Sequence, residues 1–369
     1  MITPILSHSH VIGIMSGTSL DGVDLAYCHF KQLDGKWEYD VIKAETIKYP
    51  DDLSLKLSQA MKMTALDLAF LDNELGRFIA QSVNIFMGEF KDNVELIASH
   101  GHTVFHQPEL GLTTQRGSGS VIAALTGRDA VYDFRTMDVA LGGQGAPLVP
   151  IGDELLFGTY DICLNLGGIS NLSYRHKGQR KAFDISPCNI ALNHLAQQIG
   201  HSYDADGNIA KQGQINHSLL QKLNQLEYYQ RQDHKSLGRE WIDQHFLPLL
   251  AQSGLSIEDQ LRTVCEHIAE QIASVCNTTN GHSLLITGGG THNRFLINLI
   301  RQKFHGDVVI PNQATIDFKE AIIFAFLGVL RANGLNNCLT SVTGARHDSC
   351  GGTMVLGKQD SSHIINSKI

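Results

Sequence analysis

The chain contains no run approaching eighteen apolar residues, so no segment reads as a membrane-spanning helix. Its opening, MITPILSHSH, lacks a basic stretch followed by a long apolar core, and export is not expected. Lys and Arg form no dense block and the formal net charge is −8 with His neutral, the wrong sign for a nucleic-acid backbone or an anionic membrane. The seven cysteines (Cys28, Cys163, Cys188, Cys265, Cys276, Cys338 and Cys350) are scattered, odd in number and without a CxxC pair. That excludes a disulfide framework and fits a reduced, cytoplasmic setting. No GxxxxGK[ST] occurs, and the first glycine loop leads into a strand, which excludes a Walker A loop and a Rossmann fingerprint.

With 369 residues the chain exceeds the size at which one hydrophobic core stops growing, so two domains with a cleft between them are expected. Hydrophobic residues at 43% and charged residues at 18% are ordinary for a chain that folds throughout. Against eight prolines stand thirty-five glycines, many in clusters at the ends of apolar runs, where a backbone can approach a small molecule closely.

The periodicity predicts an α/β protein. Val11 to Phe30 reads as strand, Gly/Ser/Thr turn and strand; 52–90 is helical; Val94 to Ser99 is a buried strand. The glycine- and proline-bearing segment Asp133 to Pro150 is an ordered loop and the expected domain junction. Strands follow at Tyr160 to Leu166, Ser170 to Tyr174 and Lys181 to Ile185, then a helix at Asn189 to Gly200. Gln260 to Asn277 and Glu320 to Arg331 are further helices, with a short strand at Ser283 to Ile286. Both halves open with strand, glycine turn and strand, which suggests a duplicated architecture. The expected division is 1–134, joined by the 346–369 tail, and 135–345.

Three strand-terminal loops carry the candidate chemistry. Gly17, Thr18, Ser19, Leu20, Asp21, Gly22, Val23 and Asp24 form a hairpin loop whose amides and hydroxyls suit phosphate oxygens, with Asp21 and Asp24 able to hold Mg²⁺ directly or through water. Gly167 and Gly168, in Asn165 to Asn171, and Gly288, Gly289 and Gly290, before a helix-like run, supply two more. Singly each reads equally as a tight turn. Together they suit one triphosphate, the last at a positive helix N-terminus.

The loop order resembles the acetate/sugar kinase, Hsc70 and actin superfamily, which implies a two-domain actin/hexokinase-like (ribonuclease H-like) fold with a central cleft. The superfamily's early Asp is replaced by Ile14, and Asn165 stands where the second loop often has Asp. GIMSGTSLDGVDLA, SHGHTVFHQP, DFRTMDVALGGQGAPLVP, NLGGISNLS, YDADG and KSLGREW, in that order over about residues 11–357, are similar to the motifs of the anhydro-N-acetylmuramic acid kinase family. That resemblance implies ATP- and Mg²⁺-dependent phosphorylation of the 6-oxygen of 1,6-anhydro-N-acetylmuramic acid, with water opening the anhydro ring, in peptidoglycan recycling. It places the catalytic base on Asp184, in Phe183-Asp-Ile-Ser-Pro-Cys-Asn189, where Ile185, Ser186 and Cys188 depart from the family's Thr, Gly and Gly.

The resemblance also implies sugar contact by Glu320; Arg135 and Asp138 are read as contacting sugar or phosphate, or as pairing with each other to hold their loop. Lys235 and Arg239 read as substrate cations or as an exposed helix-start pair. His100, His102 and His106 invite a metal reading that lacks a fourth ligand, and His8 to His10 read as an untethered end. The expected partner is a small-molecule sugar, without nucleic acid or membrane; a homodimer is compatible, with no readable interface. Kinases for another amino sugar, a polyphosphate hydrolase and an ATP-binding sensor or filament protein are the alternatives.

Overall fold

The computed structural model describes residues 8–17, 20–231 and 236–357. Two compact units divide the chain, Met1–Leu156 with Glu320–Ile369, and Phe157–Lys319.

In the first unit β1 (His8–Ser16), β2 (Val23–Leu33) and β3 (Lys36–Ile47) form an antiparallel meander. After β4 (Leu96–Ser99) and a separate hairpin of β5 (His102–Gln107) and β6 (Leu112–Arg116) comes β7 (Asp129–Tyr132); β4 lies parallel to β1, and β7 parallel to β4. The second unit repeats the scheme with β8 (Ile162–Leu166), β9 (Ile169–His176) and β10 (Gln179–Pro187) antiparallel, then β11 (Ser283–Thr287) and β12 (Asp307–Val309) parallel to β8 and to each other's run. β13 (Thr353–Val355) adds an edge beside β7.

Counted within its own sheet and with the β13 edge set aside, the first unit runs β3-β2-β1-β4-β7 and the second β10-β9-β8-β11-β12, both third, second, first, fourth, fifth. Short turns join the antiparallel strands, whereas the parallel ones are reached through helices, as parallel pairing requires. This is the duplicated ribonuclease H-like architecture of the actin/hexokinase-like fold. No helix among the described residues is long and apolar enough to cross a membrane.

Alternation along β1 sends Ile12 and Ile14 to one sheet face, where they join Leu71, Leu75 and Ile79 of helix Ala65–Met87. Thr64 caps that helix, its side chain accepting from the Asp67 amide at 3.2 Å. Gly13 faces the other way. A Cβ there would collide with the Ala321 carbonyl and stand 2.6 Å from the Ala325 amide of helix Gln313–Ala332. On that face Phe326 also meets Phe30 and Trp37, with ring centroids 5.4 and 5.2 Å apart. Because the obstruction is backbone, Gly13→Ala is expected to destabilise the protein by about 1–3 kcal/mol, read as a lower urea midpoint. An unchanged midpoint would mean that the helix does not press on β1.

The second unit buries Ile162, Leu164, Leu284 and Ile286 of its central strands against Leu192 and Leu195 of helix Asn189–Gln197 and Ile268 and Ile272 of helix Ile257–Thr278.

Several expectations differ from this structure. Residues 135–156 and 320–345 pack with the first unit, so its boundaries fall after Leu156 and before Glu320 rather than at 134/135 and 345/346. The reason is contact with the first sheet and its loops: Arg135 Nε donates to His100 Nε2 at 2.9 Å, Phe324 packs on the His100 ring at 4.7 Å, and Gln144 donates its amide to the Thr343 carbonyl at 2.9 Å. The first histidines are not an untethered end, because β1 starts at His8 and His10 stacks on His29 at 4.3 Å. Lys36–Ile47 is a strand without a clear sequence signal, because at the sheet edge only Trp37 of its residues is buried. Helix Gln313–Ala332 is broken by non-helical geometry at Phe318, so the part that carries Glu320 starts beside it, as expected, after a first part that the periodicity does not show.

Candidate active site

Asp184 lies on β10 opposite Asn171, at a register irregularity between Asp184 and Ser186. Its carboxylate is half-buried and bonded on one side only. Oδ2 accepts from the Leu237 amide at 2.8 Å and the Ser236 hydroxyl at 3.5 Å, while Oδ1 has no hydrogen-bond partner among the described residues. Tyr228 Oη donates to the Asp184 backbone carbonyl at 2.6 Å. Burial raises the Asp184 pKa, opposed by the Leu237 and Ser236 hydrogen bonds. The arrangement is a carboxylate made more basic by desolvation, with one oxygen left to receive a proton.

The two glycine loops of the same unit meet. Asn189 Nδ2 donates to the Leu166 carbonyl at 3.1 Å, while the Asn189 and Ile190 amides bond the Gly167 and Gly168 carbonyls at 3.2 and 3.1 Å. Gly288 has φ +85°, and a Cβ there would strike Asn165 Oδ1; one on Gly290 would lie 2.7 Å from Leu166 Cβ. Only glycine fits so close an approach. The expected helix N-terminus is one turn further on: Gly289–His292 is a 3₁₀ turn, and helix Arg294–Lys303 is capped by Asn293 Oδ1 accepting from Leu296 at 2.9 Å.

In YDADG, Asp204 accepts from the Ile209 and Ala210 amides at 2.8 and 2.9 Å, which makes it a turn residue. Arg239 forms an exposed pair with Asp243 at 2.8 Å, and Lys235 lies outside the described residues.

In the first unit the β1–β2 hairpin holds the 17–22 turn, of which Thr18 and Ser19 lie outside the described residues. Val23, expected at the nucleotide, is instead a core residue paired with Ser16 across the ladder, and Leu20 packs its side chain on the same core at φ +61°. Gly22 is required because a Cβ would collide with the Ile47 carbonyl. Asp24 Oδ1 accepts from Thr46 Oγ1 at 2.6 Å, and Asp21 is exposed. Ser16 Oγ bonds Tyr49 Oη at 2.6 Å and lies 3.4 Å from His102 Nδ1, which brings His102 to the hairpin loop. Burial lowers the His102 pKa.

Arg135 and Asp138 do not pair with each other; both grip Gly145. Arg135 Nη1 donates to the Gly145 carbonyl at 2.6 Å, and the Gly145 amide donates to Asp138 Oδ2 at 2.7 Å. Asp138 is 1% exposed, and its Oδ1 accepts from Thr343 Oγ1 at 2.7 Å and Cys338 Sγ at 3.0 Å. Its expected contact with sugar is thus corrected: the carboxylate is spent on holding the loop.

Arg135 Nε donates to His100 Nε2 at 2.9 Å, which leaves His100 Nδ1 to donate to the Gly101 carbonyl at 2.7 Å. Burial, then the nearby guanidinium, keeps His100 well below its ordinary pKa and neutral. With both ring nitrogens occupied His100 is no metal ligand in this arrangement. His106 Nδ1 bonds Thr113 Oγ1 at 3.1 Å. Arg135 itself is pushed down to about 10 by burial, countered by Glu320, and so stays cationic at neutral pH with the exposed Glu320 carboxylate in its field. Sequence reasoning missed Tyr228, Leu237 and the His100–Arg135 pairing, since no local signal marks partners so distant in the chain.

A family model described as anhydro-N-acetylmuramic acid kinase matches residues 9–357. The chain is 36% identical over 357 residues to the anhydro-N-acetylmuramic acid kinase of Vibrio parahaemolyticus serotype O3:K6 (strain RIMD 2210633), covering 90% of this chain and 95% of that protein. It is 35% identical over 354 residues to that of Vibrio vulnificus (strain CMCP6), with the same 90% and 95% coverage. Among solved structures, a ROK family glucokinase from Streptomyces griseus in complex with glucose and AMPPNP matches with a TM-score of 0.41 and 12% identity, over 87% of this chain and 99% of that one. With the family's own model spanning nearly all of its length, the chain belongs to the anhydro-N-acetylmuramic acid kinase family.

Proposed function

We propose that this enzyme uses ATP and water to convert 1,6-anhydro-N-acetylmuramic acid to N-acetylmuramic acid 6-phosphate and ADP in the cytoplasm, as a step of peptidoglycan recycling. The observation that supports this reading best is the half-buried Asp184 carboxylate with one oxygen unbonded among the described residues. In the reaction Asp184 takes a proton from water as its oxygen bonds the anomeric carbon. The bond from that carbon to O6 breaks, and O6 forms its new bond to the γ-phosphorus as ADP leaves.

Arg135, cationic and oriented by His100 and Gly145, contacts the sugar or the transferring phosphoryl group, and Glu320 contacts sugar hydroxyls. Amides of Gly17, Gly22, Gly167, Gly168 and Gly288 to Gly290 approach nucleotide phosphates or ribose, with Thr18 and Ser19 offering hydroxyls. Mg²⁺, bound with the nucleotide, neutralises phosphate charge. Asp21 and Asp24 are hard oxygen donors of the kind it takes, one or two carboxylates through water beside phosphate oxygens.

Incubation of the enzyme with the anhydro sugar and ATP·Mg²⁺ in ¹⁸O-labelled water tests the reading. A phosphorylated product carrying ¹⁸O at the anomeric hydroxyl is expected by mass spectrometry. A phosphorylated product that retains the anhydro ring would overturn the coupled hydrolysis, and no product despite ATP binding would move the activity to another amino sugar.

A further inference from the structure

Glu227–Gln230 and residues 236–241 touch Asp184 at three points and are themselves tied to the core. Glu227–Gln230 is a short helical turn. From it Tyr228 reaches the Asp184 carbonyl, with its ring tilted on Trp241 at a centroid distance of 5.4 Å. Tyr229, next in the chain, points to helix Ile257–Thr278 and meets the fully buried His267 Nε2 at 2.9 Å. His267 Nδ1 lies 2.6 Å from Asn224 Oδ1.

Proton positions along this line follow from the partners. Gln271 Nε2, which can only donate, bonds Asn224 Oδ1 at 2.9 Å, so that oxygen is an acceptor and His267 Nδ1 carries the hydrogen that meets it. Burial pushes His267 down to about 3, so the ring is neutral and Nε2 accepts from the Tyr229 hydroxyl. Asn224 Nδ2 completes the line by donating to Glu270 Oε2 at 2.9 Å. Every donor meets an acceptor in one consistent direction, with Asn224 Oδ1 accepting twice, and a part-buried network satisfied in this way fixes the element it holds.

Resting on the assignment of Asp184 as base, we infer that these two stretches form a brace that selects the reacting oxygen: Tyr228 fixes the Asp184 peptide and Leu237 N–H occupies Oδ2. Oδ1 is then the atom that takes the proton from water, and Tyr229 and His267 hold the brace in register. Tyr228, Tyr229 and His267 are positioning residues; none reaches the reacting atoms.

Tyr228→Phe removes the hydrogen bond to the Asp184 carbonyl and keeps the ring. Without it the Asp184 peptide loosens, Leu237 binds Oδ2 less well, and the carboxylate gains a proton at higher pH. Turnover is expected to fall about fivefold with the KM for ATP unchanged, and the acid limb of the kcat–pH profile to move up by about half a unit. Tyr229→Phe, which leaves every contact of Asp184 intact, should move the limb in the same direction by less. Ile272→Val, a core change in the helix that carries His267, should leave the limb in place and so controls for general destabilisation.

If Asp184→Asn is inactive while both tyrosine variants keep the native limb and kcat, the brace is wrong and the base assignment stands. If Asp184→Asn is fully active, the base assignment itself fails.

Discussion

Asp184→Asn is expected to lower kcat by about 10²–10⁴-fold, the range over which a positioned general base contributes to a proton transfer. The native enzyme should lose turnover as pH falls through the Asp184 pKa, and burial places that limb above the ordinary carboxylate range. Inactivity must then be separated from unfolding, and the same raised pKa provides the means. Because the folded state holds this proton more tightly than the unfolded chain, its contribution to stability is full below the unfolded-chain pKa. It is lost as pH rises through the folded value.

At neutral pH the carboxylate is therefore a cost to the fold, and the neutral amide removes it while its oxygen still accepts from the Leu237 amide. The thermal midpoint of Asp184→Asn at pH 7 should match or exceed that of the native protein. A soluble variant with that midpoint and native turnover would overturn the proposed mechanism.

Asp138→Ala should produce the opposite pattern, with a large loss of stability. The side chain is 1% exposed and receives the Gly145 amide, the Thr343 hydroxyl and the Cys338 thiol. Removing it strands the buried Gly145 amide, takes the short acceptor from the Cys338 thiol, leaves the Thr343 hydroxyl only its 3.3 Å bond to the Leu339 carbonyl and vacates a buried site, for a combined loss of about 3–5 kcal/mol. Scanning calorimetry should record a midpoint lower by roughly 10 °C. Arg135 shares the Gly145 anchor, so sugar-dependent turnover should fall as well. A variant of native stability with only a raised KM for sugar would restore Asp138 to direct contact with substrate.

The two residues show where sequence reading succeeds and where it stops. Both sit in motifs that read as functional, Asp184 after a strand and Asp138 in a glycine-rich loop. The same motif logic offered both to the ligand. What separates them is environment: Asp184 keeps an oxygen unbonded among the described residues, and Asp138 has none left. Val23 repeats the lesson, since its place inside a loop motif concealed its place in the ladder and the core.

By itself the sequence determined the α/β class, the duplicated strand–turn–strand openings and the family, because alternation, glycine turns and ordered motifs are local properties of the chain. Only the tertiary structure decided the unit boundaries, the five-strand order shared by the two main sheets and which oxygen of Asp184 remains available. Those depend on contacts between residues far apart in sequence, such as Leu237 with Asp184 and Thr343 with Asp138. A hydrogen bond across such a separation leaves no periodic trace, because its geometry exists only once the intervening chain has folded.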